Sequence, residues 1–105
     1  MSTSVRALAL VLGDQDNVAT AIDDIPEAGE YPVMFKDGIK TVNVLVAIPF
    51  GHKFAVSDIA AGGDIVKYGE VIGEATTNIK TGEHVHVHNV VSKRGRGDLE
   101  AKGAN

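Results

Sequence analysis

Residues 62–89 read GGDIVKYGEVIGEATTNIKTGEHVHVHN, with glycine at 62, 63, 69, 73 and 82 and short β-prone runs between them. Such punctuation predicts short strands joined by tight turns rather than helices. Twelve glycines are spread through the 105-residue chain in the same way, so the reading extends outward from this stretch. Upstream, RALALVLG reads as a first strand and VATAI as a second, behind the turn-forming GDQDN. YPVMF, the KDG turn and KTVNVLVAI read as a hairpin, because Asp-Gly between β-prone runs is a strong turn signal. The fold class is therefore all-β, with at most one or two short helical turns. AVSDIAAG is the place for one, with Ser57 or Asp58 as its cap.

A weak internal echo runs through the chain. IPEAGEYPV, IPFGHKFAV, IAAGGDIVKYG and IKTGEHVHV each place an isoleucine before a glycine, then a polar residue and an apolar restart. The period is irregular, which points to reused turns rather than solenoid repeats. After Asn89 the chain becomes VVSKRGRGDLEAKGAN, glycine-rich and charged. The expected organisation is one domain over residues 1–92 and a tail over 93–105, poorly ordered unless a partner holds it.

Composition narrows the function classes. With 44% hydrophobic residues and only five aromatics, the core must be built of Val, Ile, Leu and Ala. No cysteine is present, which excludes a disulfide framework, a zinc knuckle and a thiol nucleophile, and which fits a reduced cytoplasmic setting. The net charge of −4 argues against nucleic acid, whose phosphates need a basic surface. Arg6 followed by ALALVL imitates a signal peptide, but Gly13, Asp14 and Asp16 cut the apolar run, so it reads as a buried strand. No run approaches the roughly 18 apolar residues of a membrane span, so no membrane role is expected.

His84, His86 and His88 stand two residues apart in TGEHVHVHN. On a strand they would share one face, with Val85, Val87 and Asn89 on the other and the valines toward the core. Imidazoles so placed can converge on a divalent ion, two adjacent ones more readily than three, and His52 in PFGHKF can bring a further nitrogen. A half-exposed strand with a histidine face needs no metal, and composition alone favours that plainer reading. Lys53 and Lys67 each sit beside a glycine turn, where they can hold a carboxylate substrate, pair with Glu70 or Asp64, or simply be solvated. Asp14, Asp16 and Asn17 read as turn-makers.

The order of motifs carries more. GHK at residues 51–53, GGDIVKYGEVIG at 62–73 and GEHVHVHN at 82–89, behind DNVATAIDDI, resemble the SAF-type domain of the altronate dehydratase family over about residues 5–97. Galactarate dehydratase and sulfolactate sulfo-lyase are members of the same family. The resemblance implies a compact β-clip fold, present either as the N-terminal domain of a long enzyme or as a separate small subunit. Because the chain stops soon after HVHNVVSKRGRGDL, a small subunit beside a large altronate-dehydratase-type catalytic subunit is expected.

The family's chemistry implies a sugar-acid substrate that loses water, or sulfolactate that loses sulfite, with Fe²⁺ or another divalent metal implicated. The motifs then point to His86, His88, His52, Lys53 and Lys67 as catalytic residues and to Tyr68 and Asn89 as substrate contacts. Metal ligation falls first to His86 and His88, with His84 behind them and further ligands from the large subunit. The isolated chain is expected to be inactive and to self-associate as a homo-oligomer through exposed edges. A non-catalytic binding or assembly module is the alternative from another class.

Overall fold

The computed structural model describes residues 6–92, so the expected tail lies outside the described residues. Nine strands follow in order: Ala9–Leu10 (β1), Val18–Ala21 (β2), Gly29–Phe35 (β3), Gly38–Val44 (β4), Lys53–Ala55 (β5), Asp64–Lys67 (β6), Glu70–Ala75 (β7), His84–Val85 (β8) and Val90–Ser92 (β9). They form a six-stranded sheet, β4-β3-β1-β2-β5-β8, and a three-stranded sheet, β6-β7-β9. The fold is a compact all-β one, and among the described residues there is no helix.

The hairpin forms as read: β3 and β4 pair without interruption from Gly29↔Val44 to Phe35↔Gly38, around Lys36 and Asp37. The apolar run near the N-terminus is an interior strand, held between β2 and β3. Its odd positions Ala7, Ala9 and Val11 are buried, which is why the run is apolar. No helix of the described residues is long and apolar enough to cross a membrane.

The helical turn expected in AVSDIAAG does not form. Ile59 is instead held in an antiparallel bridge with Ile79, each donating its N–H to the other's carbonyl at 2.8 and 2.7 Å. Asp58 caps no helix. Its carboxylate accepts from the Thr81 N–H at 2.9 Å and the Thr81 hydroxyl at 3.0 Å, across the bridge.

That bridge gives the echo its physical meaning. The four echo isoleucines pair in two bridges, Ile25↔Ile48 and Ile59↔Ile79, and all four are buried. Three of the glycines that follow, Gly51, Gly62 and Gly82, share a left-handed φ of 86°, 86° and 89°. Each turn is closed by the same bond, from His52 N to Pro49 O, Gly63 N to Ala60 O and Glu83 N to Lys80 O, at 2.8–3.0 Å. Isoleucine buries its side chain while the glycine supplies the φ that an L-residue resists. Each bridge anchors one core: Ile25 and Ile48 pack with Phe54, Val33 and Val44, whereas Ile59 and Ile79 pack with Ile65, Val18 and Val85. Adjacent residues of β5 and β8 enter different cores, since Phe54 belongs to the first and Ala55 and Val85 to the second. The β5–β8 ladder is thus the seam between the cores, and the histidines lie along it.

Candidate active site

His52 leaves the turn at residues 49–52, which is pinned by two bonds from elsewhere. Asp24 Oδ1 accepts the Phe50 N–H at 2.8 Å, and the Ala21 carbonyl accepts the Gly51 N–H at 2.9 Å. His84 lies opposite Phe54 where β8 pairs with β5. The pairing brings His52 Nδ1 to 2.9 Å from His84 Nε2, a hydrogen bond that requires a lone pair on one ring. His86 stacks on His52 with ring centroids 4.3 Å apart.

The alternating histidine stripe expected from the sequence ends at Val85. Residues 86–89 turn away from the ladder, closed by the Asn89 N–H donating to the His86 carbonyl at 3.1 Å. Val85 is buried as expected, but Val87 is 81% exposed and enters no core. Asn89 is only 2% exposed. Its Oδ1 accepts the His86 N–H at 3.0 Å and its Nδ2 donates to the His84 carbonyl at 2.9 Å. With both ends of its amide engaged, Asn89, expected from the sequence as a substrate contact, clamps the backbone of two histidines.

The turn redistributes the histidines. Ligand nitrogens of His52, His84 and His86 all lie within 4.8 Å of one another. His88, on the exposed side of the turn, reaches only a tilted ring contact with His84 at 5.4 Å between centroids. The sequence reading ranked His86 and His88 ahead of His84; the geometry groups His84 and His86 with His52.

Electrostatics favour the neutral form of His84 and His86. His84 is held below the ordinary imidazole range by its burial, then by the charges of His52, His86, His88 and Lys53. His86 is lowered by loss of hydration and by His52, Lys53 and His88. Burial also lowers the Lys53 ammonium, with Lys67 adding repulsion. Lys67 faces Glu70 across the β6–β7 ladder and lays its ammonium 4.9 Å over the Tyr68 ring. Imidazoles whose nitrogens converge are a donor set that a divalent first-row metal ion takes. The residues present therefore fit such an ion.

A cavity of about 220 Å³ opens beside the cluster, lined by Lys53, Ile72, His86, Val87, Val90 and Ser92. A larger concavity of about 450 Å³ includes Asp14, Phe35, Lys36 and Lys40 but none of the histidines. Its lysines pair locally, Lys36 with Asp14 at 3.5 Å and Lys40 with Asp37 at 3.4 Å.

The model of the altronate/galactarate dehydratase SAF domain matches residues 7–93. The chain belongs to this family. Among curated SAF-domain relatives, altronate dehydratase of Escherichia coli (strain K12) is 45% identical over 74 residues, covering 70% of this chain and 14% of that protein. Galactarate dehydratase (L-threo-forming) of the same organism is 40% identical over 85 residues, covering 81% of the chain and 15% of that protein. The (2R)-sulfolactate sulfo-lyase subunit alpha of Chromohalobacter salexigens is 39% identical over 92 residues, covering 84% of the chain and 98% of that protein. The chain thus spans about one seventh of the two dehydratases and nearly all of the sulfo-lyase subunit. The SAF domain is one that these lyases share.

Sequence reasoning missed the residues that hold the site in place. Asp24 and Asp58 each directly precede an echo isoleucine and each accept the N–H two residues beyond the partner isoleucine. Asn78, before Ile79, does the same for the Ala61 N–H at 2.9 Å. The recurring Asp-Ile and Asn-Ile pairs were the available signal.

Proposed function

We propose that the chain is the small subunit of a lyase that dehydrates a sugar acid of the altronate type, supplying part of an active site completed by a large catalytic subunit. The observation that carries this reading is the convergence of His52, His84 and His86 beside Lys53, on a domain whose relatives are sugar-acid dehydratases and a sulfo-lyase subunit. Near-complete coverage of a relative named subunit alpha supports the small-subunit role.

Loss of a β-hydroxyl from such an acid begins with the weakly acidic proton beside the carboxylate. An imidazole outside the grouped three, that of His88, accepts that proton, and as an imidazolium returns it to the departing hydroxyl. Lys53 and Lys67 place positive charge where the carboxylate becomes an enediolate. Tyr68 and His88, both exposed, border the substrate or the partner. His52, His84 and His86 would hold a divalent ion such as Fe²⁺, with remaining ligands from the large subunit, and when bound it supplies Lewis-acid stabilisation of the enediolate.

Sulfolactate cleavage is the second reading, favoured by the match along nearly the whole sulfo-lyase subunit. There the same α-proton is removed, the C–S bond breaks, and its electron pair leaves with sulfite. Purified chain combined with its large partner is to be assayed with altronate, galactarate and sulfolactate. Turnover of altronate supports the first reading and turnover of sulfolactate the second. No turnover of any of the three removes the lyase reading.

A further inference from the structure

Asp16 and Asn17 were read as turn-makers, yet most of their side-chain bonds run to a strand about fifty residues away. Asp16 accepts N–H bonds from Gly13 at 3.0 Å, Tyr68 at 2.8 Å and Gly69 at 2.8 Å. Asn17 accepts the Val66 N–H at 2.8 Å and donates its amide to the Asp64 carbonyl at 2.8 Å. Its backbone N–H reaches the Val66 carbonyl at 3.1 Å. Two consecutive side chains therefore grip β6 and the turn beyond it.

The grip falls where the backbone is under strain. Tyr68 has φ 54° and, among the described residues, no other non-glycine has a positive φ. A left-handed L-residue is strained by its Cβ, a strain that glycine would remove. Glycine at 68 would, however, delete the ring beneath the Lys67 ammonium. The chain keeps the tyrosine and holds it with two charge-assisted bonds from one carboxylate, to Tyr68 and to Gly69. Gly13 belongs to the same device, since a Cβ there would lie 2.5 Å from Asp16 Oδ1 and 2.8 Å from Gly69 N. The Asp16 carboxyl sits below its ordinary range: burial raises it, but bonds from Gly69, Gly13, Tyr68 and Leu12 outweigh that. The Lys67 charge adds to the burial that lowers the Lys53 ammonium, and Lys53 shares its cavity with His86.

We infer that Asp16 is a positioning residue: by holding Tyr68 in the left-handed conformation, it fixes where the Lys67–Tyr68 pair stands, the pair that the lyase reading turns to the substrate carboxylate. The inference rests on the lyase reading for the word substrate, and on the observed bonds for the positioning. Its test uses Asp16→Ala, Asp16→Asn and Lys67→Ala in the full chain.

Proton NMR of the chain reads the positioning, because the Lys67 ammonium lies 4.9 Å over the Tyr68 ring and the adjoining ε-methylene protons are expected to be displaced upfield by it. That displacement is expected to disappear in Asp16→Ala and to persist in part in Asp16→Asn, which keeps one acceptor oxygen. In the complex with the large subunit, using altronate and sulfolactate as probes, Asp16→Ala is expected to raise KM on the order of 100-fold with little change in kcat. Adding Asp16→Ala to Lys67→Ala is expected to cause no further loss.

A lowered melting temperature with the Lys67 displacement and KM unchanged would overturn the inference, as would additive losses in the double variant. The two ideas fail separately. If Lys67→Ala leaves KM unchanged, the lyase role of Lys67 falls, whereas the ring-current displacement alone still decides whether Asp16 positions the pair.

Discussion

The turns at residues 49–52 and 80–83 have the same backbone and different work. Each follows a bridged isoleucine, each carries a left-handed glycine, and each is pinned by an aspartate preceding the partner isoleucine. They differ in the residue after the glycine. Glu83 folds back on its own turn, its Oε1 accepting the Lys80 N–H at 2.7 Å. His52, in the matching place, reaches across to His84 at 2.9 Å. One turn is closed upon itself, and the other is opened toward a site. The repeated backbone is scaffold, and the chemistry resides in the side chain that leaves it.

The contrast is broken most severely at the histidines. Replacing both His52 and His84 with Ala is expected to lower turnover of the complex on the order of 10³-fold. The melting temperature should change little, because neither ring is a core residue. Replacing Glu83 with Ala should leave turnover within a few-fold. Equal losses at the two positions, measured by steady-state kinetics, would erase the distinction.

The glycines offer the next test. Gly51→Ala and Gly82→Ala both place an L-residue at nearly the same φ, costing about 1–2 kcal/mol. A Cβ at Gly51 meets nothing within 4 Å, whereas at Gly82 it would collide with the Asn43 carbonyl oxygen. Urea unfolding is therefore expected to show Gly82→Ala as the more destabilised, by a further 2 kcal/mol or so. Asn89→Ala comes next: it leaves the His86 N–H and His84 carbonyl without their buried partner, a loss of about 2–3 kcal/mol. Metal titration of this variant should also weaken, since two of the three grouped histidines lose their backbone clamp.

The smallest effect is one of pH. Asp58 is lowered from its usual 3.8 by its backbone and side-chain bonds from Thr81. A carboxyl lowered in the folded state adds stability that is present above the unfolded value and lost as pH falls through the folded one. Protection of the Thr81 amide, its exchange relative to the intrinsic rate at the same pH, should therefore fall below about pH 3.8, and Asp58→Asn should remove that dependence. An unchanged profile in Asp58→Asn would mean that the turn is pinned otherwise.

Much of this was legible in the chain. Glycine spacing and β-prone runs announced short strands, and the Asp-Gly signal placed the β3–β4 hairpin because its information is local. The reused turns were visible as an isoleucine–glycine echo. The strand alternation assumed for residues 84–89 failed after two residues, because Asn89 captures the His84 and His86 backbone and bends the chain. The helical turn in AVSDIAAG failed because Ile59 found a bridge partner twenty residues on. In both cases a long-range or side-chain bond outweighed a local preference.

Alone, then, the sequence determined the class of fold, the family and the inventory of reactive side chains, since strand period, turn chemistry and motif order are written in neighbouring residues. Tertiary structure decided which histidines meet. His52 and His84 are 32 positions apart, and only the antiparallel pairing of β5 with β8 sets their nitrogens 2.9 Å from each other. Register between distant strands depends on where buried side chains fit into two cores, and no local pattern encodes that fit.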